Sequence, residues 1–204
     1  MNKIFTLFSL LLLLLISCDE DNYAEDIILF TELQPPLTVT SVDTVVYLLG
    51  PGYYAPSPED STATISLDIN NDGIDDFSVS CTTMFYWVSA SGGSANYNFW
   101  ISISGISDEN QVSKTDHFAK FYSADDVIDN SENWNQEALL MMSGGYVPYS
   151  SNFEGNRYLG LKIKQGQNDY YSWLQINKTG YLITVMSHAT NQTAHNSIRA
   201  GQFE

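Results

Sequence analysis

Oxygen-bearing side chains recur at fixed spacing in Asp68-Ile69-Asn70-Asn71-Asp72-Gly73-Ile74-Asp75-Asp76-Phe77. With Asp68 as position 1, side-chain oxygens fall at positions 1, 3, 5 and 9, glycine stands at 6, and position 7 offers its main-chain carbonyl. Calcium, a hard cation, takes about six to eight oxygen ligands from a chain wrapped around it in this way. The expected ligands are Asp68, Asn70, Asp72, the Ile74 carbonyl and Asp76, with water completing the shell and Asp75 turned outward. Gly73 permits the sharp left-handed turn that folds the loop back. Carboxylates crowded together with no basic neighbour repel one another unless a cation screens them. The competing reading is a metal-free Asx-rich hairpin turn, because Asn-Asp-Gly is also a strong turn sequence. A cation here is expected to be structural, pinning a hairpin.

The rest of the chain shares this acidity. Of 204 residues, 24 are Asp or Glu and 8 are Lys or Arg, a formal charge of −16. Residues 18–113 carry fifteen acids and no Lys or Arg, whereas 114–204 carry nine acids and seven bases. A nucleic-acid partner is excluded, since no basic face is available to replace phosphate counterions. Electrostatic adhesion to anionic lipid is disfavoured for the same reason.

Attachment to a membrane is expected by another route. Lys3 precedes an apolar run, Ile4 to Ile16, broken only by Thr6 and Ser9. Its 13 residues rise roughly 20 Å as a helix, short of the roughly 30 Å hydrocarbon core, so 1–17 reads as a signal peptide. Leu15-Ile16-Ser17-Cys18 resembles the lipobox of bacterial lipoproteins, in which cleavage precedes the cysteine and its sulfur takes diacylglycerol. Together with further acylation, such as palmitate, two or more chains hold a protein on a bilayer. Asp19-Glu20-Asp21 resembles the signal that sends Bacteroidota-type lipoproteins to the outer face of the outer membrane; the periplasmic face is the alternative. With Cys18 lipidated, Cys81 has no partner and is expected to pack as a small hydrophobe.

The positioning elements read as strands. Residues 18–36, acidic and ending in Pro35-Pro36, read as a lipidated tether, and 37–204 as one domain. Strands are expected near Leu37–Leu49, Thr62–Ile69, Phe77–Ser89, Tyr97–Ser104, Phe118–Tyr122, Arg157–Lys164, Tyr170–Ile176 and Tyr181–His188. Alternation is explicit in Thr64-Ile65-Ser66-Leu67-Asp68-Ile69 and in Trp100-Ile101-Ser102-Ile103-Ser104. The fold class is all-β, an antiparallel β-sandwich or jelly roll, with one or two short helical turns at Asp125–Ile128 and Trp134–Met142. Ser91–Ala95 and Ser143–Gly145 read as glycine-rich hairpin connections.

Two resemblances bear on the fold. The acidic loop departs from an EF-hand at position 12, where Val79 replaces the bidentate glutamate, and strands flank it. It is similar instead to the strand-loop-strand calcium loops of integrin-type β-propeller repeats, but a propeller repeats that loop and this chain carries it once, which argues against a propeller. The C-terminal segments Tyr158-Leu159-Gly160-Leu161-Lys162, Tyr170-Tyr171-Ser172-Trp173-Leu174-Gln175-Ile176, Ile183-Thr184-Val185 and Ile198-Arg199-Ala200-Gly201-Gln202 are similar to a group of uncharacterised secreted bacterial β-domain proteins. Ser172 departs from that pattern, which has glycine there. The resemblance implies a secreted β-domain and no particular activity.

Signatures of strong catalytic sites are absent: no nucleophile elbow, metalloprotease helix, phosphate loop or CxxC occurs. His117, His188 and His195 bind zinc only if the fold gathers them, and solvated loop histidines are the plainer reading. Asp125-Asp126 and Asp108-Glu109 suggest a glycosidase pair, although adjacency of this kind arises from composition. Among the aromatics, Trp134 with Tyr146 and Tyr149 are the ligand-contact candidates, as flat platforms for a sugar face; packing is the bland alternative. The functional expectation is a non-catalytic binding or structural module that contacts glycan or an envelope protein, with a glycan-active hydrolase as the alternative.

Overall fold

A computed structural model describes residues 26–40, 48–50, 53–54, 61–88, 94–143, 153–179 and 182–204. The signal segment, Cys18, the first part of the tether, Gly144 and Gly145, Tyr146 and Tyr149 lie outside the described residues. Among those described there is no helix, hence none long and apolar enough to cross a membrane. The strands are β1 (Ile28–Thr40), β2 (Leu48–Gly50), β3 (Tyr53–Tyr54), β4 (Ser61–Leu67), β5 (Phe77–Val88), β6 (Ser94–Gly105), β7 (Gln111–Thr115) and β8 (Phe118–Ala119). They continue as β9 (Phe121–Tyr122), β10 (Val127–Ile128), β11 (Trp134–Asn135), β12 (Glu137–Ser143), β13 (Gly155–Gln165), β14 (Asn168–Thr179), β15 (Leu182–Asn191) and β16 (Ile198–Arg199).

One mixed sheet dominates, in the order β1-β15-β14-β13-β7-β8-β12-β6-β5-β4. Its two antiparallel halves, β1-β15-β14-β13 and β12-β6-β5-β4, are joined through the β7–β8 hairpin. Among the described residues the one parallel step pairs Leu139 of β12 with Phe118 of β8. Inward residues of both halves form a single core: Ile65, Val79, Cys81, Ile101 and Ile103 from one, Leu159, Leu161, Leu174, Ile176 and Val185 from the other. The end strands β1 and β4 also pack near each other, so the sheet curls toward closure. The result is the expected all-β, sandwich-like architecture, and period-two alternation accounts for it.

Both faces of β14 are buried. Leu174 and Ile176 point into the main core, while Tyr171 and Trp173 belong to a second cluster with Tyr122, Ile128, Ile198 and Ala200. The small β10–β16 sheet forms this outer cover. The Trp173 indole N–H donates to the Gln202 carbonyl at 2.9 Å, and Tyr158 meets Trp173 edge-on at 5.4 Å. Ala200 trades main-chain bonds with Asp125 and Asp126, each 2.9 Å long. These contacts bring three of the C-terminal segments noted above, those around Tyr158, Trp173 and Ala200, into one packed layer, while Ile183 and Val185 lie in the main core.

Two sequence expectations fail here. The sheet takes in residues before Leu37, because Ile28–Glu32 pairs with Ser187–Asn191 of β15. Pro35 and Pro36 fall within the register shift between Glu32 and Leu37, on an edge strand, where a missing N–H breaks no ladder. Neither expected helical turn forms: Val127–Ile128 pairs with Ile198–Arg199, and Trp134–Asn135 and Glu137–Ser143 pair with β7 and β6. Ala138 and Leu140 are buried between more exposed neighbours, so the core imposes a period of two on residues of good helix propensity.

His188 is 2 % exposed on β15, and its Nδ1 has no hydrogen-bond partner among the described residues. Burial holds its pKa below the ordinary value, outweighing the Ile69 main-chain hydrogen bond and the Asp68 charge that raise it. The unfolded chain takes up this proton near about pH 6.5 and the folded chain at lower pH, so between the two the unfolded state binds more protons. Stability should therefore fall on acidification through that window. Urea midpoints at about pH 7.5 and about pH 5 should differ, and His188→Leu should flatten the difference; an identical slope in the variant would refute the assignment.

Candidate functional site

The acidic loop is the connection between β4 and β5, closed where Leu67 pairs with Phe77 and the Asp76 N–H donates to the Leu67 carbonyl at 2.8 Å. Ile69 and Phe77 are fully buried and root its two ends in the core, leaving residues 71–75 exposed. Asn71 at φ 59° and Gly73 at φ 87° are left-handed. Glycine takes that conformation freely and asparagine tolerates it, which is why Asn-Asp-Gly folds the chain back here.

Asp68, Asn70 and Asp72 are each held by main-chain amides of their own loop. Asp68 accepts from the Gly73 N–H through Oδ2 at 2.8 Å and from the Asp72 N–H through Oδ1 at 3.2 Å. Asn70 Oδ1 accepts from the Asp72 N–H and Asp72 Oδ1 from the Ile74 N–H, both at 2.9 Å. Gln165, from the β13–β14 turn, donates to Asp72 Oδ2 at 3.4 Å. An ionised carboxylate offers about four lone-pair sites, so these bonds leave acceptor capacity at Asp68 and Asp72. Among the described residues no three His, Cys, Asp or Glu side chains converge closely enough to form a metal cluster as they stand. That statement also covers the three histidines considered for zinc.

Asp76 plays a different part from Asp68 and Asp72. Only 6 % exposed, it accepts the Ile69 N–H at 2.9 Å and the Asn70 N–H at 3.3 Å on Oδ2. Burial raises its pKa, opposed by those two amides and reinforced by the Asp72 and Asp68 charges. Asn110, itself buried, donates to the Asp76 carbonyl at 3.2 Å and approaches Oδ1 at 3.4 Å, while its own Oδ1 accepts the Lys164 N–H at 3.2 Å. Nothing in the local sequence marks Asn110; it lies 34 residues from Asp76. Thr190 ties in the loop's other end, donating to the Ile69 carbonyl at 3.1 Å, and its hydroxyl lies 2.8 Å from that of Ser172. Ser172, the departure from the resembling pattern, thus completes a buried hydroxyl chain beneath the loop. A cleft of about 260 Å³ opens beside the loop, lined by Asn70, Asp72, Gln165, Tyr170 and Thr190.

The other candidates separate. Trp134 is half-buried: its indole N–H donates to the Asp129 carbonyl at 3.2 Å, Tyr171 lies 5.8 Å away, and the Lys162 ammonium stands 5.3 Å from its ring centroid. Cys81 is buried in β5, and burial pushes its thiol pKa up, as an inert apolar role requires. Asp125, Asp126, Asp108 and Glu109 are all exposed; Asp126 accepts the Ser123 N–H at 2.7 Å and Asp108 accepts Gln136 Nε2 at 3.0 Å. Comparison with known protein families, with characterised proteins and with solved structures returns no match.

Gly105 backs Asn110 so closely that an added Cβ would lie 2.1 Å from the Asn110 carbonyl oxygen. Gly105→Ala should therefore destabilise by about 1–3 kcal/mol or more through overpacking. Asn110→Ala should cost about 1–3 kcal/mol by stripping partners from buried groups around Asp76. Urea unfolding checks both, and unchanged midpoints would remove Asn110 as the support of the loop.

Proposed function

We propose that the protein is a membrane-anchored envelope lipoprotein, a non-catalytic binding or structural module whose Asp68–Asp76 loop takes a structural calcium ion. The observation that carries the calcium reading is the loop itself. Asp68, Asn70 and Asp72 keep their side-chain oxygens inside one turn, each already oriented by a main-chain amide. Asp68, Asn70, Asp72 and the Ile74 carbonyl would hold the ion, with Asp76 at the buried end. Half-buried Asp68 and Asn70 and exposed Asp72 would exchange bonds to loop amides for bonds to the ion, which would offset repulsion among three carboxylates.

The anchor reading rests on the lipobox resemblance at Cys18 and on the apolar run before it. The binding role is favoured over the hydrolase alternative because the adjacent carboxylate pairs lie exposed in water. A glycosidase acid keeps its proton near neutral pH through burial beside apolar groups, and those positions lack such surroundings.

Two measurements test the proposal separately. Thermal unfolding in millimolar calcium should exceed that in chelator by about 5–10 °C, as expected for an ion present at about 100 times its dissociation constant. Asp72→Ala should abolish the difference, and a midpoint indifferent to calcium would remove the ion from the account. For the anchor, full-length protein expressed in a Gram-negative host should sediment with membranes and release lipid-modified peptide on digestion. Cys18→Ser should shift it to the soluble fraction; a membrane-bound variant would overturn lipidation at Cys18.

A further inference from the structure

The outer face of the β13–β14 half carries two polar clefts, and a lining residue of each touches the Trp134 side chain. One, about 250 Å³, is lined by Asp108, Gln111, Lys162, Lys164 and Asp169. The other, about 570 Å³, is lined by Asp129, Asn130, Ser131, His195 and Asn196. Two links make them neighbours. Lys162 of the first holds its ammonium 5.3 Å from the Trp134 ring centroid, while Asp129 of the second accepts the indole N–H at 3.2 Å. The main chain also joins them, since the His195 N–H donates to the Asp169 carbonyl at 2.7 Å. Tyr171, buried at 5.8 Å from Trp134, supports the ring from the sheet.

The lining chemistry narrows the ligand. Carboxylates accept, ammonium groups donate and side-chain amides do both, which complements hydroxyl groups that donate and accept at once. An aromatic ring touched by residues of both clefts suits the apolar face of a pyranose. Combined volumes of several hundred Å³ fall within the usual range of about 300–1,000 Å³ for small-molecule sites. Charge decides the rest: acids outnumber lysines in the groove, and a chain of net charge −16 repels polyanions. Lys162 makes no ion pair within 4.0 Å among the described residues, so its ammonium is available to a hydroxyl.

We propose that this groove binds a neutral oligosaccharide, with one sugar ring on Trp134 in the place of the Lys162 ammonium and flanking hydroxyls met by the side chains of both clefts. Burial already holds the Lys162 pKa below its ordinary value, consistent with an ammonium short of water partners. This assignment rests on the binding-module reading and gives that module its ligand class.

Full-length protein in detergent micelles is titrated calorimetrically with cellotetraose, xylotetraose and mannotetraose, with tetragalacturonate as the acidic control, in calcium and in chelator. At least one neutral tetrasaccharide should bind saturably and more tightly than tetragalacturonate. Trp134→Leu should weaken it at least tenfold. Because that variant also loses packing on Tyr171, the exposed pair Asn130→Ala and Asn196→Ala is measured beside it and should lose at least threefold with an unchanged thermal midpoint. Absence of binding by all three neutral sugars, preference for tetragalacturonate, or parental affinity in the asparagine variants would overturn the groove. The calcium midpoint and the Cys18 fractionation read different parts of the molecule, so their failure is distinguishable from failure here.

Discussion

A buried carboxylate must be met by donors, and Asp76 is met from both sides: the Ile69 and Asn70 amides from its own loop, and Asn110 from the connection between β6 and β7. Without those donors a carboxyl 6 % exposed would be costly to keep at the base of the turn. Because Asn110 also holds the Lys164 N–H, the same requirement joins the loop, the β6–β7 connection and β13 at one end of the sandwich. The exposed acids can crowd at the tip because their root is fixed. Asp76 is thus a structural member of a loop whose other acids face water.

A second constraint follows from β13 and β14 being covered on both faces. A sheet with one wet face has polar residues outward; here the outward residues of β14 include Tyr171 and Trp173, so something must lie over them. The chain supplies that cover with β10, β16 and its last residues, fastened by the Trp173 bond to the Gln202 carbonyl. Trp134 packs on Tyr171 beside the proposed groove. The rim of that groove is polar because the loops leaving the small cover sheet are Asp129–Ser131 and His195–Ser197, rich in turn-forming side chains.

How much of this was legible in the sequence depended on whether local pattern and tertiary demand agreed. Ile65 and Leu67, and Ile101 and Ile103, alternate with polar neighbours, and their strands appear where alternation puts them. The loop from Asp68 to Asp76 was legible from spacing alone, including its left-handed Gly73. Ala138 to Met142 misled because Leu and Met favour helix as isolated residues, while pairing with β6 decides their conformation. Ile28 to Glu32 misled because acids and prolines nearby suggested an unfolded tether, whereas an edge strand tolerates both. Asn110 had no local signal at all: its role exists only through partners 34 and 54 residues distant.

The turn between β13 and β14 lies between the loop and the groove, and this arrangement explains why two chemically different surfaces occupy one end of the molecule. Gln165 reaches Asp72 on the loop side, and the Lys164 N–H reaches Asn110. Just beyond the turn, Asp169 lines the groove and holds the His195 N–H through its carbonyl. Side chains alternate across a strand, so a hairpin whose inner face braces the acidic loop presents Lys162 and Lys164 on its outer face. Ordering the loop therefore also limits the motion of the groove wall, because the two share a backbone that cannot shift on one side without shifting on the other.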